Sequence, residues 1–160
     1  MTVGASTSLP WQTNFVIEHT QTLARSFRKW TGRDLLPGLF NPAGLARYVF
    51  EAPFVVVSHG TEADPILNYG NAAALVLWEI SWDEFTRTPS RLTAEASNQI
   101  ERAKLLETVS QRGIIDDYSG VRISKSGRRF KISRATVWNL VIENGEPRGQ
   151  AAMFYQWEFL

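Results

Sequence analysis

The sixteen residues Asp64-Pro65-Ile66-Leu67-Asn68-Tyr69-Gly70-Asn71-Ala72-Ala73-Ala74-Leu75-Val76-Leu77-Trp78-Glu79 run a strand, a corner and a helix into one continuous segment. Residues 66–69 read as a short apolar strand that reaches Gly70 and Asn71 and turns at once into a helix opening on three alanines. Asn71 is suited to cap that helix, because its side-chain oxygen can accept from a backbone N–H of the first turn. Ala72, Ala73 and Ala74 let the helix lie close against a neighbour, while Leu75, Leu77 and Trp78 supply bulk. A strand that feeds a small-residue helix in this way forms a corner able to wall off a pocket.

Working outward, Pro53 opens the run Phe54-Val55-Val56-Val57-Ser58, whose β-branched residues and unbroken apolarity predict a buried strand. Residues 60–65 join the two strands as a turn. Further upstream, Ile17, Thr20, Leu23, Ala24, Phe27 and Trp30 recur at three- and four-residue steps among charged residues. That spacing predicts an amphipathic helix over 14–31, stopped by Gly32. Residues 1–13 are expected to form a flexible N-terminus. Residues 35–44, with Pro37, Gly38, Pro42 and Gly44, read as a loop with room for a short helix over 45–50 behind it.

Downstream, Ser81 and Glu84 form a capping box for a second short helix that Pro89 ends. A third helix is predicted with Asn98 and Glu101 at its cap, a stripe of Ile100, Ala103, Leu106 and Val109, and Gly113 at its close. Strands over 118–124, 129–142 and 150–159 follow, separated by Ser126-Gly127 and Asn144-Gly145. Asn-Gly between apolar runs predicts a type I′ hairpin turn. The expected fold is α+β: one domain over 14–160, a five-stranded antiparallel sheet with a helical connector after the second strand, and an additional N-terminal helix.

Composition narrows the function classes. The chain has 160 residues, 44% of them hydrophobic, with six Trp and nine Phe, which suits one domain with a substantial core. Net charge is +1, so no global field favours nucleic acid or an anionic membrane. The absence of cysteine excludes disulfides, thiolate metal sites, cysteine nucleophiles and flavin–cysteine photochemistry. The N-terminus lacks the pattern of an export signal, and no apolar run approaches the ~20 residues of a membrane span. A cytoplasmic protein is the expectation.

Six groups of residues carry a family resemblance: Tyr48 with Glu51-Ala52-Pro53-Phe54; Ser58-His59; Asp64 through Asn71; Pro89-Ser90-Arg91-Leu92-Thr93-Ala94-Glu95; Asp116 through Ser124; and Ser126-Gly127-Arg128-Arg129-Phe130 with Ala135-Thr136-Val137-Trp138-Asn139. On these, spread over residues 15–157, the chain resembles stand-alone bacterial members of the MEKHLA family. Plants carry a related domain at the C-terminus of class III homeodomain–leucine zipper transcription factors. The element order also resembles that of PAS domains. The hexapeptide that names the family is absent, and the chain stops at Leu160 without the Asp-Ile-Thr linker that often joins a PAS domain to an output domain. The resemblance implies a PAS-like fold and a sensing or partner-binding role. It brings neither an established ligand nor a catalytic residue.

Strict alternation would put Phe130, Ile132, Arg134, Thr136, Trp138, Leu140 and Ile142 on one face of the long strand, unless a bulge near Ser133 turns Arg134 outward. Ala151, Met153, Tyr155, Trp157 and Phe159 would share a face of the last strand. Either these aromatics fill the interior, or they shape a pocket whose candidate residues are Tyr69, Asn71, Trp78, Phe85, Arg91, Phe130, Trp138 and Tyr155. Arg91 suits an acidic ligand, or else pairs with Glu95 to pin a loop. His19 and His59 lack partners at metal-ligand spacing, and Ser58-His59 with Asp64 has triad residue types on adjacent, opposed strand positions. Lys125, Arg128, Arg129, Lys131 and Arg134 guard a strand edge or touch phosphates.

Leu23, Phe27 and Trp30 are the candidates for a two-fold interface, if the N-terminal helix does not simply cover its own sheet. The expectation is a non-catalytic sensory or protein-interaction module: a homodimer with an unidentified protein partner and a possible small ligand, using no metal or cofactor. A small cone-shaped isomerase- or dehydratase-like enzyme with Asp116 or Asp117 beside His59, and a purely structural scaffold, are the alternatives. Nucleic acid and membrane are not expected partners.

Overall fold

The computed structural model describes residues 9–160. Helices α1 (Asn14–Thr31) and α2 (Pro42–Phe50) lead into strands β1 (Val55–His59) and β2 (Leu67–Gly70). Helices α3 (Ala72–Trp78), α4 (Trp82–Phe85) and α5 (Ala96–Arg112) follow, then strands β3 (Ile114–Ile123), β4 (Arg129–Val141), β5 (Pro147–Phe154) and β6 (Gln156–Phe159). Of the N-terminal residues expected to be flexible, 1–8 lie outside the described residues, and Pro10–Gln12 form a 3-10 turn.

Local chemistry explains most boundaries. The Thr13 hydroxyl accepts from the Val16 N–H, and Gly32 ends α1 in the left-handed region. Asn41 caps α2, with Pro42 in its first turn. Ser81 caps α4 through the Glu84 N–H. Helix α5 starts earlier than its Asn98–Glu101 signal suggests, with Glu95 at the cap. Its buried stripe is Leu105 and Val109, while Ile100 is 69% exposed. The Asn144-Gly145 turn is also wider than the two-residue form: only Gly145 has positive φ, and the Ile142 N–H donates to the Glu146 carbonyl. A type I′ turn needs positive φ at both central residues.

The sheet is antiparallel with strand order β2-β1-β5-β4-β3, and β6 pairs with β4. β1 therefore lies beside β5, joining the early and late strands in one layer. The expected fifth strand is divided at Tyr155. Across from that bend Arg134 has φ +53°, and pairing resumes at Ser133↔Gln156 on one side and Thr136↔Met153 on the other. A left-handed residue within a strand breaks the two-residue alternation. The single-face sets expected for β4 and the last strand are therefore corrected. Phe130 and Ile132 share a face with Ala135 and Val137, whereas Trp138 and Leu140 point the opposite way. Ala151 and Met153 likewise separate from Trp157 and Phe159.

Both sheet faces are covered. On one, Val16, Leu23 and Phe27 of α1 pack against Val56, Tyr69, Trp138, Leu140 and Met153. The Phe27 and Trp138 rings meet edge to face at 5.1 Å, a geometry that adds about 1 kcal/mol beyond burial alone. On the other face, Leu77, Trp78 and Phe85 cover Val55, Leu67, Phe130, Ile132 and Phe154, and Leu105 and Val109 cover Val137. Leu23 and Phe27 are 0% and 2% exposed, and the Trp30 indole donates to the Asn139 carbonyl at 2.9 Å. Leu23 and Phe27 are therefore spent on covering the sheet of their own chain, and of the three residues expected at a two-fold interface only the half-buried Trp30 keeps exposed surface.

Candidate functional site

A cavity of about 60 Å³ lies between α5 and the central strands. Val57, Ile132, Val137, Ala152 and Phe154 form its sheet side, with Leu105 and Leu106 of α5 opposite and Trp78 at one wall. Its polar lining includes His59, Thr93, Arg102, Tyr118 and Arg122. The apolar enclosure weakens solvent screening, so charge here interacts strongly.

The two arginines give the cavity its character. Arg102 donates through Nη2 to the Ser90 hydroxyl at 2.8 Å. Burial, and then the Arg122 charge, push its pKa down to about 10. Arg122 is 6% exposed and donates to the Val121 carbonyl at 2.8 Å and the Tyr118 hydroxyl at 3.1 Å. The Tyr118 hydroxyl in turn donates to the Glu101 carboxylate at 2.9 Å. Among the described residues neither guanidinium forms a direct ion pair, whereas Arg91 pairs with Asp64 at 3.3 Å and Arg129 with Glu95 at 2.6 Å.

Two further polar atoms are left over. His59 Nδ1 faces the Gly60 carbonyl at 3.0 Å and so carries the proton, leaving Nε2 as an acceptor. That Nε2 is buried with no hydrogen-bond partner, as is the Trp78 indole N–H. Burial also lowers the His59 pKa, keeping the ring neutral. The Gln150 amide approaches the ring without a bond of ordinary geometry, donating instead to the Leu106 carbonyl and Asn139 Oδ1.

Of the eight pocket candidates, only Trp78 lines this cavity. Phe85 and Trp78 bound a separate surface recess. Phe130 is wholly buried against Trp78, at 5.2 Å between rings. Tyr69 and Trp138 face α1 on the other side of the sheet. Arg91 is half-exposed and bound to Asp64 rather than Glu95. Tyr155 is 60% exposed and leans on Phe54. Asn71 is buried and fully engaged in backbone bonding: Oδ1 accepts from the Val56 and Ala74 N–H groups, and Nδ2 donates to the Val49 and Phe54 carbonyls.

Sequence reasoning passed over Arg102, Arg122 and His59 as cavity residues. A signal was present. Arg102 sits three and seven residues before Leu105 and Val109, on the buried stripe, and Arg122 alternates with Tyr118 and Gly120.

The Ser58–His59–Asp64 set does not assemble. Ser58 Oγ instead lies 2.8 Å from His19 Nε2 and donates its own proton to Asn68 Oδ1 at 2.5 Å. His19 Nε2 must then be the donor, the reverse of a general base. Burial lowers the His19 pKa to about 4. The unfolded chain takes up this proton near pH 6.5 and the folded chain only near pH 4, so the stability is present above pH 6.5 and lost as pH falls through that window. About 2–3 kcal/mol should disappear between pH 7 and 4.5. Denaturant titrations of wild type and His19→Gln at both pH values should show that this share of the acid loss is absent from the variant.

Asp116 and Asp117 are exposed and outside the cavity; Asp116 accepts from the Thr136 hydroxyl at 2.7 Å. In the basic hairpin, Lys125 pairs with Glu84 at 2.7 Å, and Arg128 lies over the Phe159 ring. Among the described residues no three His, Asp or Glu side chains gather as a metal site, and no helix is long and apolar enough to cross a membrane.

A sheet in the order β2-β1-β5-β4-β3, with its connector helices closing one face over a small cavity, defines the PAS class of fold. The chain belongs to the MEKHLA domain family, whose profile matches residues 17–159. Solved structures agree on the fold. A PAS domain from Colwellia psychrerythraea is similar at TM-score 0.60 and 13% identity, over 72% of this chain and 92% of that one. An RNA-binding light-oxygen-voltage receptor is similar at TM-score 0.64 and 18% identity, over 78% of this chain and 36% of the receptor. A light-oxygen-voltage domain studied with a flavin analogue is similar at TM-score 0.55 and 15% identity, over 72% and 84%. No curated protein matches the sequence.

Proposed function

We propose that this domain is a non-catalytic sensory module that binds a small ligand between the sheet and α5 and passes its state to a protein partner or a second copy. The observation that carries this reading is the small, mostly apolar cavity lined also by Arg102, Arg122 and His59. The strands that wall it also support α1. Val137 lines the cavity while its neighbour Trp138 packs on Phe27. Ser58 lines the cavity and bonds to His19 of α1. A ligand that favours one position of β1 or β4 therefore biases α1, which is population shift through a shared sheet.

A flavin does not suit this site. The cavity is about 60 Å³, against the roughly 300 Å³ or more of pockets for drug-sized molecules. The chain also has no cysteine for a flavin adduct.

The test is native mass spectrometry of the purified protein together with thermal unfolding against a metabolite library. A bound small molecule, or a compound that raises Tm, is expected. If neither is seen, the sensory reading fails and a scaffold role takes its place.

A further inference from the structure

We infer that the ligand is a short hydroxycarboxylate, held by Arg102 and Arg122 through its carboxylate and by His59 through its hydroxyl. This rests on the cavity being a ligand site and names what that site is built to accept.

Three independent features converge. The first is charge. Two guanidinium groups line one small cavity, close enough for the Arg122 charge to depress the protonation of Arg102, and neither has a direct carboxylate partner among the described residues. The acidic groups nearby are engaged elsewhere: Asp64 with Arg91, and Glu101 with the Tyr118 hydroxyl. A guanidinium has five N–H donors. Arg102 uses one on Ser90 and Arg122 two on Val121 and Tyr118, so donors remain for an oxyanion. Two like charges buried together are costly unless an anion joins them.

The second is the orphaned pair. His59 is 8% exposed, and its Nε2 is a buried acceptor with nothing to accept from. A carboxylate alone leaves it unsatisfied, whereas a ligand hydroxyl can donate to it. The Trp78 N–H is a buried donor with nothing to give to, and a ligand oxygen completes it.

The third is size and apolar wall. About 60 Å³, at roughly 10–15 Å³ for each water-sized group, holds four to six such groups. That fits a hydroxy acid of two or three carbons, with any hydrocarbon against Leu105, Val137 and Phe154. It leaves no room for a nucleotide.

The experiment is a calorimetric and thermal-shift comparison of four probes on the full chain: lactate, glycolate, propionate and lactamide. One of the hydroxy acids should bind and raise Tm by roughly 5–10 °C at a hundredfold excess over Kd. Propionate, which lacks the hydroxyl, should bind about tenfold more weakly, and lactamide, which lacks the charge, should not bind. Arg102→Met should abolish the shift while leaving the free protein as stable as wild type or more so, because an unpaired buried charge is removed. Should Arg102 merely hold Ser90, the variant would instead unfold at lower temperature. His59→Phe should equalise the hydroxy acid and propionate.

If lactamide binds as well as lactate, or Arg102→Met keeps the shift, the assignment is overturned while the cavity remains a ligand site. If none of the four probes binds, the assignment is overturned as well, and the library screen decides separately whether any ligand occupies the cavity.

Discussion

Gly149→Ala is expected to be among the most damaging single-methyl changes in this protein, lowering stability by about 3 kcal/mol or more. Gly149 lies in β5, between β1 and β4, at the point where the β4–β5 register slips near Leu140. Its φ is +116°, a conformation that L side chains rarely adopt. A Cβ there would collide with the His59 carbonyl oxygen and stand 3.2 Å from Gly60 Cα. Both obstacles are backbone, so no side-chain rotation relieves the clash. Either β1 must separate from β5 or the bulge must flatten, and flattening would shift the ladder that pairs the two halves of the sheet. Thermal unfolding should show Tm lower by roughly 6–12 °C. A variant within about 2 °C of wild type would mean that the bulge is not built as described. The same change should also loosen the cavity, since His59 is one of its walls.

Asn71→Leu should cost about 3–5 kcal/mol, although the two side chains are similar in volume. At this corner β2 ends and α3 begins, and ordinary pairing cannot continue. The Asn71 amide supplies the missing bonds at 2.7–3.2 Å to four backbone groups: the Val56 and Ala74 N–H and the Val49 and Phe54 carbonyls. Leucine would strip the Val56 and Ala74 N–H groups and the Phe54 carbonyl of these bonds, in a place that water does not reach, since Asn71 is 0% exposed, while the Val49 carbonyl would keep only the Ala52 N–H at 3.3 Å. Asn71→Ser separates the roles: it can keep the cap on the Ala74 N–H while losing the bonds that span to α2 and β1. Denaturant unfolding should rank wild type above Ser and Ser above Leu. Equal stability of the Ser variant and wild type would reduce Asn71 to a helix cap.

How much of this was legible in the chain follows from the range of the forces involved. The Asn71 cap, the Ser81–Glu84 cap, the helix over Asn14–Thr31 and the valine strand of β1 were all readable. Each is governed by backbone bonds and periodicities within a few residues. The family assignment rests on similarly local residue runs. The candidate site was poorly legible for a related reason. Seven of the eight residues proposed for a pocket were chosen as large aromatics or corner residues, and such side chains are the ones that cores consume. The polar residues that line the cavity include two arginines without a carboxylate partner and a histidine with an unbonded Nε2. Their positions on buried faces were readable, but the lack of such partners depends on contacts distant in the chain.

The chain by itself determined the order of the main helices and strands, the caps at Asn71 and Ser81, and the division into a two-strand start and an antiparallel finish, because local hydrogen bonding and hydrophobic period set these. Only the tertiary structure decided which face each β4 side chain occupies. The left-handed turn at Arg134 opposite Tyr155 reverses the alternation, and a reversal of that kind is stabilised by β5 and β6 alongside, not by the residues of β4 themselves. From it follow the burial of Trp138 under α1 and the placing of Val137 in the cavity. Long-range packing chose among faces that local preference left equivalent.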